Sequence, residues 1–424
     1  MTRTYWVETL GCPKNQVDSD KLIGTLTADG LVAAASADEA DLVVVNTCAF
    51  VAEAREESVA TILALEERRA EGAELVVTGC MAERYGDELA AALPEVDAVA
   101  GFGVPVTLGP TRGSGPAVPT MDLLNLPRPR SERPWAYVKV AEGCDKACGF
   151  CAIPSFRGPQ RSRPIEAVLD EVAALQVREV VLVAQDLAAY GRDRDSESRI
   201  DMASGTTPIA ELVRAVAAEV DRVRLLYLYP SEMTDELVEL IATGPVPYFD
   251  LSLQHVSAPL VRRMRRWGDG ERFLARIDAI RTLRPDAAFR SNFIVGYPGE
   301  TEADHDQLLD FVESARLDWC GFFAYSAEDG TYAADLDGAV EPGLVADRLA
   351  ELRELQDAIT ARARDDLVGE RTVVLVDEVG VARSHREAPE IDGIIEVPDT
   401  LVVGGLHLVE ITAAAGPDLT AVAV

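Results

Sequence analysis

Basic residues are what this chain is short of: its 424 residues hold 40 Lys and Arg against 72 Asp and Glu, a formal net charge of -32 at pH 7. Such a surface repels phosphate backbones unless a local basic patch intervenes, and it attracts basic proteins. Long apolar runs are missing too, and no stretch reaches the roughly 20 residues of a membrane helix. The opening Met1-Thr2-Arg3-Thr4-Tyr5-Trp6 lacks the charged-then-apolar pattern of a secretory leader, so the expected location is the cytoplasm, with no membrane partner. Histidine is scarce, at four residues: His255, His305, His385 and His407. Cysteine numbers seven, an odd count that speaks against a disulfide framework and for reduced thiols used as ligands.

What is present is a globular chain, 48% hydrophobic, long enough for two or three domains. Its most informative stretch is Gly143-Cys144-Asp145-Lys146-Ala147-Cys148-Gly149-Phe150-Cys151. Three cysteines at this spacing can converge on one inorganic centre without help from distant parts of the chain. A structural zinc site takes a fourth protein ligand, and a ferredoxin-type 4Fe-4S cluster takes four cysteines; no fourth Cys or His lies nearby. The spacing therefore predicts a cubane with one iron lacking a protein ligand, with a zinc knuckle as the alternative. The triplet, followed by Cys151-Ala152-Ile153-Pro154-Ser155, resembles the signature of the radical S-adenosylmethionine (SAM) enzymes. The resemblance implies that SAM chelates the open iron and is cleaved there to a deoxyadenosyl radical.

The amino-terminal third predicts strands at 5–10, 41–46 and 74–78, with a helix over 52–71. Each strand runs through a small-residue turn into a cysteine, at Cys12, Cys48 and Cys80. In an open parallel sheet the carboxyl ends of the strands share one edge, so these cysteines converge as a second three-thiolate site, unless each is a small buried hydrophobe. The stretches Glu8-Thr9-Leu10-Gly11-Cys12-Pro13-Lys14-Asn15, Asn46-Thr47-Cys48-Ala49-Phe50 and Thr78-Gly79-Cys80-Met81-Ala82 resemble the methylthiotransferases, which implies a second 4Fe-4S cluster here. Gly101-Phe102-Gly103 reads as a loop, and 101–134 as a Gly- and Pro-rich linker.

From Trp135 strand and helix alternate, with strands expected at 135–140, 179–184, 223–229, 249–253, 289–295 and 319–325, an open partial barrel whose working face is the carboxyl end of the strands. Polar groups that could hold SAM follow three of them: Gln185, Gln254, and the loop Gly296-Tyr297-Pro298-Gly299-Glu300. That loop resembles the family's adenine-contacting loop through Gly296, Pro298 and Gly299, but Thr301 and Asp304 also read as a helix capping box. His255 reads as a structural residue, Cys320 as core, and Arg262 to Arg266 as a phosphate contact or a solvated helix face. Residues 192–204 form a polar insertion, and 342–367 one amphipathic helix.

The last 55 residues turn to short β-branched runs at 372–376, 393–397 and 406–411, the pattern of a small five-stranded antiparallel barrel. The methylthiotransferases carry such a module, TRAM, at this position. Residues 370–424 hold ten acids against three arginines, a poor match to RNA, whose binding relies on Lys and Arg. Glu387, Glu390 and Asp392 are expected on its partner-facing surface. Ala388-Pro389-Glu390-Ile391-Asp392-Gly393 also resembles the family branch that modifies an aspartate of the twelfth small-subunit ribosomal protein.

The fold expected is α/β: an amino-terminal parallel α/β domain (1–120), a central partial (βα)6 radical SAM barrel (130–362) and a terminal TRAM β-barrel (365–424). The resemblance implies two 4Fe-4S clusters and SAM as cofactors, and a flavodoxin or ferredoxin as electron donor. It implies methylthiolation of the β carbon of an aspartate in a basic ribosomal protein, with methylthiolation of a tRNA adenosine as the alternative.

Overall fold

The computed structural model describes residues 3–106, 122–194 and 206–424; much of the expected linker, and the expected insertion from 195 onward, lie outside the described residues. The chain packs as two compact units. The first comprises Met1–Arg130, Tyr137–Lys146 and Cys151–Leu175, and the second Ser131–Ala136, Ala147–Phe150 and Gln176–Val424. The boundary runs through the loop that carries Cys144, Cys148 and Cys151.

In the first unit, β1 (Thr4–Thr9), α1 (Pro13–Ala28), β2 (Val32–Ala33), β3 (Leu42–Thr47), α2 (Ala52–Arg68), β4 (Glu74–Gly79), α3 (Cys80–Ala92) and β5 (Ala98–Ala100) build a parallel sheet ordered β2-β1-β3-β4-β5. The central strands are continuous β-branched runs because both faces are covered. Val43, Val45 and Val77 pack with Ile62 and Leu65 of α2, while Val44 and Val76 pack with Leu22 and Leu26 of α1. Thr9 pairs with Asn46 and Asn46 with Thr78, so three strands end level with one another.

The chain then forms β6 (Trp135–Lys139), β7 (Ala141–Glu142), α4 (Ile153–Arg157), β8 (Arg161–Ser162) and α5 (Ile165–Leu175). The antiparallel pair β7 and β8 closes the base of the central cysteine loop.

The second unit continues with β9 (Glu179–Val183), α6 (Pro208–Ala217), β10 (Arg222–Leu225), α7 (Asp235–Thr243), β11 (Tyr248–Gln254), α8 (Ala258–Arg263), α9 (Gly270–Leu283), β12 (Ala288–Val295), α10 (Glu302–Ala315), β13 (Trp319–Ala324) and α11 (Pro342–Asp365). The strands form two sheets, β10-β9-β6 and β11-β12-β13, joined by a parallel bridge between Leu228 and Leu251. Their order follows the chain, as a partial βα barrel requires. β10 stops short of the expected residue 229 because Tyr227 turns to φ 64° and gives its amide to Asp250 at 2.9 Å.

The remaining strands, β14 (Arg371–Glu378), β15 (Val381–Arg383), β16 (Ile395–Glu396), β17 (Leu406–Ala415) and β18 (Asp418–Ala423), close a barrel ordered β14-β15-β16-β18-β17. The β16/β18 pair is parallel, whereas an antiparallel barrel was expected. An odd number of strands cannot close with every neighbour antiparallel, so one parallel pair is forced.

This barrel is joined to residues that open the central strands. Glu179, first in β9, is fully buried and meets Arg224 at 2.8 Å and Arg383 of β15 at 3.3 Å. Burial would raise its carboxyl pKa, but Arg383, Arg224 and Arg222 bring it down to about 2. Arg222, first in β10, donates to the carbonyls of Arg383 and Val373. Tyr248, first in β11, donates to Asp392 at 2.6 Å. Trp319, first in β13, donates to the Arg386 carbonyl at 2.7 Å. The terminal barrel thus covers the amino ends of the central strands.

That placement corrects the surface expected of the terminal module. Glu387 is fully buried and held by Arg364 at 2.5 Å and by Ser384. The Asp392 side chain is buried as well, because the barrel seats both carboxylates against the central strands. Of the three acids, only Glu390 is exposed, and it pairs with Arg133.

Candidate active site: two thiol trios

The amino-terminal trio follows three level strand ends. Cys12 caps α1 and Cys80 opens α3, and a helix amino terminus favours a thiolate. Asn15 gathers the three ends. Its amide nitrogen donates to the Leu10 carbonyl at 2.9 Å and the Thr47 carbonyl at 3.0 Å, and its oxygen lies 3.6 Å from Cys80 Sγ. Gly11, at φ +91°, brings the first turn so close to Cys48 that a side-chain carbon there would lie 2.9 Å from the sulfur. Gly79, also at φ +91°, is as tightly placed, with Asn46 Oδ1 at 2.2 Å from any such carbon.

Burial pushes the Cys48 thiol up to about 12, with Cys12 and Cys80 adding to the rise. Burial also raises Cys80, although the Arg157 guanidinium opposes it. At Cys12 burial is outweighed by Lys14, Arg157 and nearby backbone amides, and the thiol lies below its ordinary value. Among the described residues no group of three or more His, Cys, Asp or Glu stands arranged to hold a metal ion as it is; the thiols converge without forming a closed cage. Three thiols at strand ends, two of them at helix starts and one against a buried cation, fit an anionic sulfur-ligated group.

The central loop is held separately within each unit. In the first, the Cys144 amide donates to the Gly158 carbonyl at 3.1 Å and the Gln160 amide to Asp145 at 3.0 Å. In the second, the Gly149 amide donates to the Met264 carbonyl at 2.8 Å, and the Ala333 amide to the Gly149 carbonyl at 2.7 Å. Arg266 Nη1 donates to Cys148 Sγ at 3.2 Å, and its guanidinium lies 4.1 Å from the centre of the Tyr229 ring. All three cysteines of this loop are half-buried, a more open setting than that of Cys48 and Cys80. Arg266 thus places a cation at the Cys148 sulfur, which suits an anionic sulfur-ligated group.

The arginine run is therefore not one continuous helix face, although Arg262 and Arg265 are exposed. α8 ends within it, and Arg265 turns to φ 55°. Arg265 then stacks on Tyr332, Arg263 donates to the Asp337 carbonyl and Arg266 reaches the cysteine loop.

The residues expected to contact SAM follow carboxyl ends of strands in the second unit. Gln185 lies two residues past β9, and Gln254 ends β11 at φ 72°. In the loop after β12, the amides of Gly296 and Tyr297 donate to Glu300, which Arg348 holds at 2.9 Å. The Gly299 amide donates to the Gly338 carbonyl at 2.7 Å, Pro298 is buried, and Thr301 with Asp304 completes a capping box. Amide donors of this loop are thus committed within the protein. His255 is buried and accepts from the Ser257 amide at 3.1 Å. Cys320, half-buried in β13, has its thiol raised by burial.

Sequence reasoning missed Arg157, which donates to Cys80 Sγ at 3.0 Å, and did not assign Arg266 to the loop. The available signal was weak: Arg157 stands six positions after Cys151 and beside Phe156, and Arg266 stands beside Trp267.

Three family models match along the chain: the uncharacterized protein family UPF0004 over residues 4–101, the radical SAM superfamily over 138–312 and the TRAM domain over 368–424. The fold and the central loop define a radical SAM enzyme, a class that uses SAM and a 4Fe-4S cluster. Similar full-length proteins narrow this. The ribosomal protein uS12 methylthiotransferase RimO of Moorella thermoacetica is 42% identical over 96% of each chain. The protein of that name from Kineococcus radiotolerans is 39% identical over 99% of this chain and 97% of its own. The one from Myxococcus xanthus is 39% identical over 99% and 91%. This chain belongs to the uS12 methylthiotransferase family. A solved radical SAM methyltransferase, TsrM of Kitasatospora setae, matches with a TM-score of 0.47 and 15% identity over 76% of this chain and 75% of that one.

Proposed function

We propose that this methylthiotransferase replaces a hydrogen on the β carbon of an aspartate in a basic small-subunit ribosomal protein, uS12, with a methylthio group. The observation that carries this reading is the 42% identity over 96% of both chains to a protein named for that reaction. Charge supports it. Glu370, Glu378, Glu396 and Asp399 of the terminal barrel are exposed, and that field suits a Lys- and Arg-rich protein better than tRNA.

In this reading Cys144, Cys148 and Cys151 hold the SAM-binding 4Fe-4S cluster, and Cys12, Cys48 and Cys80 hold a second. When bound and reduced, the central cluster with SAM supplies the radical that removes the hydrogen atom. The protein's own groups position and shield. Gln185, Gln254, Gly296, Pro298 and Gly299 contact SAM, Arg266 fixes Cys148, and Asn15 fixes the amino-terminal trio. An electron at low potential, within a cluster range reaching roughly -700 mV, comes from a flavodoxin or ferredoxin. The three matched segments support domains at 1–120, 130–362 and 365–424. Among the described residues no helix is long and apolar enough to cross a membrane, and work on a ribosomal protein belongs to the cytoplasm.

Mass spectrometry of ribosomal proteins and tRNA from cells with and without the enzyme tests this. A methylthio group lost from uS12 alone supports the reading, and one lost from a tRNA adenosine replaces it. Reversing Glu378, Glu396 and Asp399 to Lys should slow association with uS12, the step that steering controls.

A further inference from the structure

Arg157 is the most enclosed cation at the amino-terminal trio, its side chain 2% exposed. One edge of its guanidinium donates to Cys80 Sγ and to Asn15 Oδ1, each at 3.0 Å. The other edge meets Asp18 at 3.2 Å and both oxygens of Glu142 at 2.9 and 3.0 Å. Its flat face lies 4.1 Å from the centre of the Phe102 ring. Lys139 bonds to the same two carboxylates. Two cations and two carboxylates thus close a ring, and the guanidinium edge left over is aimed at sulfur.

The same residue reaches the base of the other cysteine loop. Glu142 directly precedes Gly143 and Cys144, and Arg157 follows Cys151 by six positions. A purely structural ion pair would explain the carboxylate contacts, but not the N–H aimed at a thiol that also opens a helix. Hydrogen bonds to cluster sulfurs and nearby charge set cluster reduction potentials, since donated protons and positive charge stabilise the added electron.

We propose that Arg157 is a positioning residue for the group held by Cys12, Cys48 and Cys80, which holds Cys80 in place as a ligand and raises the group's reduction potential. This rests on reading that trio as a cluster site.

The test uses the full-length chain with Cys144, Cys148 and Cys151 changed to Ala, reconstituted anaerobically, so that only the amino-terminal cluster can form. Iron content is measured, and the midpoint potential is read by electron paramagnetic resonance during redox titration. The parent should carry about four irons, as a single 4Fe-4S cluster requires. Arg157→Gln should lower the midpoint so that the reduced fraction at a fixed poise falls about tenfold, which is about 59 mV for one electron. Arg157→Lys, which keeps charge but loses the planar fork, should fall between. Unchanged midpoints in both variants overturn the proposal, even with a lowered melting temperature. If Arg157→Gln fails to retain iron, Arg157→Lys decides, and a midpoint equal to the parent's overturns it. A parent without iron sinks the second-cluster reading instead.

Discussion

The two trios reach a similar chemical end by opposite routes. Cys144, Cys148 and Cys151 lie in one loop, half-buried, with Arg266 at one sulfur. Cys12, Cys48 and Cys80 come from three strand ends, two of them are buried, and a side chain from the first turn of α1, Asn15, gathers them. A loop-borne site needs only its own hydrogen bonds and can stay open to a ligand as large as SAM. A site made by topology exists only while its sheet is folded. Each trio nonetheless carries one arginine on one sulfur, Arg157 on Cys80 and Arg266 on Cys148.

The largest effect should come from removing the trios one at a time. Changing Cys144, Cys148 and Cys151 to Ala should reduce SAM cleavage, read as release of 5'-deoxyadenosine, to background. Changing Cys12, Cys48 and Cys80 should leave cleavage in place and abolish methylthio transfer, read by mass spectrometry of uS12. The opposite pattern would mean that the roles of the trios are exchanged.

Next is the dependence of the amino-terminal trio on its fold. Asn15→Ala leaves the Leu10 and Thr47 carbonyls and an Arg157 N–H without their partner in a buried place. At about 1–3 kcal/mol for each such group, part of which water recovers, the loss should be about 3 kcal/mol of stability. Differential scanning calorimetry should show a lowered transition, with SAM cleavage retained. An unshifted transition would mean that Asn15 does not hold the strand ends together.

A smaller change should follow at the central loop. Arg266→Leu removes the donor to Cys148 and leaves the chain folded, because the loop keeps its backbone bonds to Met264 and Ala333. Groups that orient metal ligands typically contribute about 10–100-fold, and SAM cleavage should fall by that factor with little change in melting temperature. Full cleavage in this variant would make the contact incidental.

The contrast also explains what could be read from sequence. The central loop is a local spacing, and the amino-terminal trio was legible because a turn and a cysteine recur after successive strands. Continuous β-branched runs such as Leu42–Thr47 announced themselves. The edge strands Val32–Ala33 and Ala98–Ala100 did not, being too short for any period. Glu387 and Asp392 looked like surface acids because nothing local signals burial; their partners, Arg364, Tyr248 and Arg290, lie elsewhere in the chain. Arg157 meets a cysteine 77 positions earlier, a pairing that only the fold creates.

The smallest predicted effect separates the two units by acid. His255, one residue past β11, accepts from the Ser257 amide on Nδ1, so its proton sits on Nε2. Burial brings its pKa down to about 4; Asp304 on α10 opposes this, while His305 on α10 and Arg348 on α11 reinforce it. A folded pKa below the ordinary 6.5 means that the unfolded chain takes up the proton first. The contribution of the neutral ring is complete above about pH 6.5 and is lost as pH falls toward 4. By pH 6 the loss should be about 1 kcal/mol. Glu142 in the first unit should add little slope there, since Arg157 and Lys139 outweigh burial and hold its carboxyl far below the usual carboxylate range. Melting curves between pH 8 and pH 5.5 should therefore fall less steeply for His255→Asn than for the parent. Equal slopes would show that His255 is not kept neutral by the fold, and a first unit that melts first on acidification would reverse the contrast between the two regions.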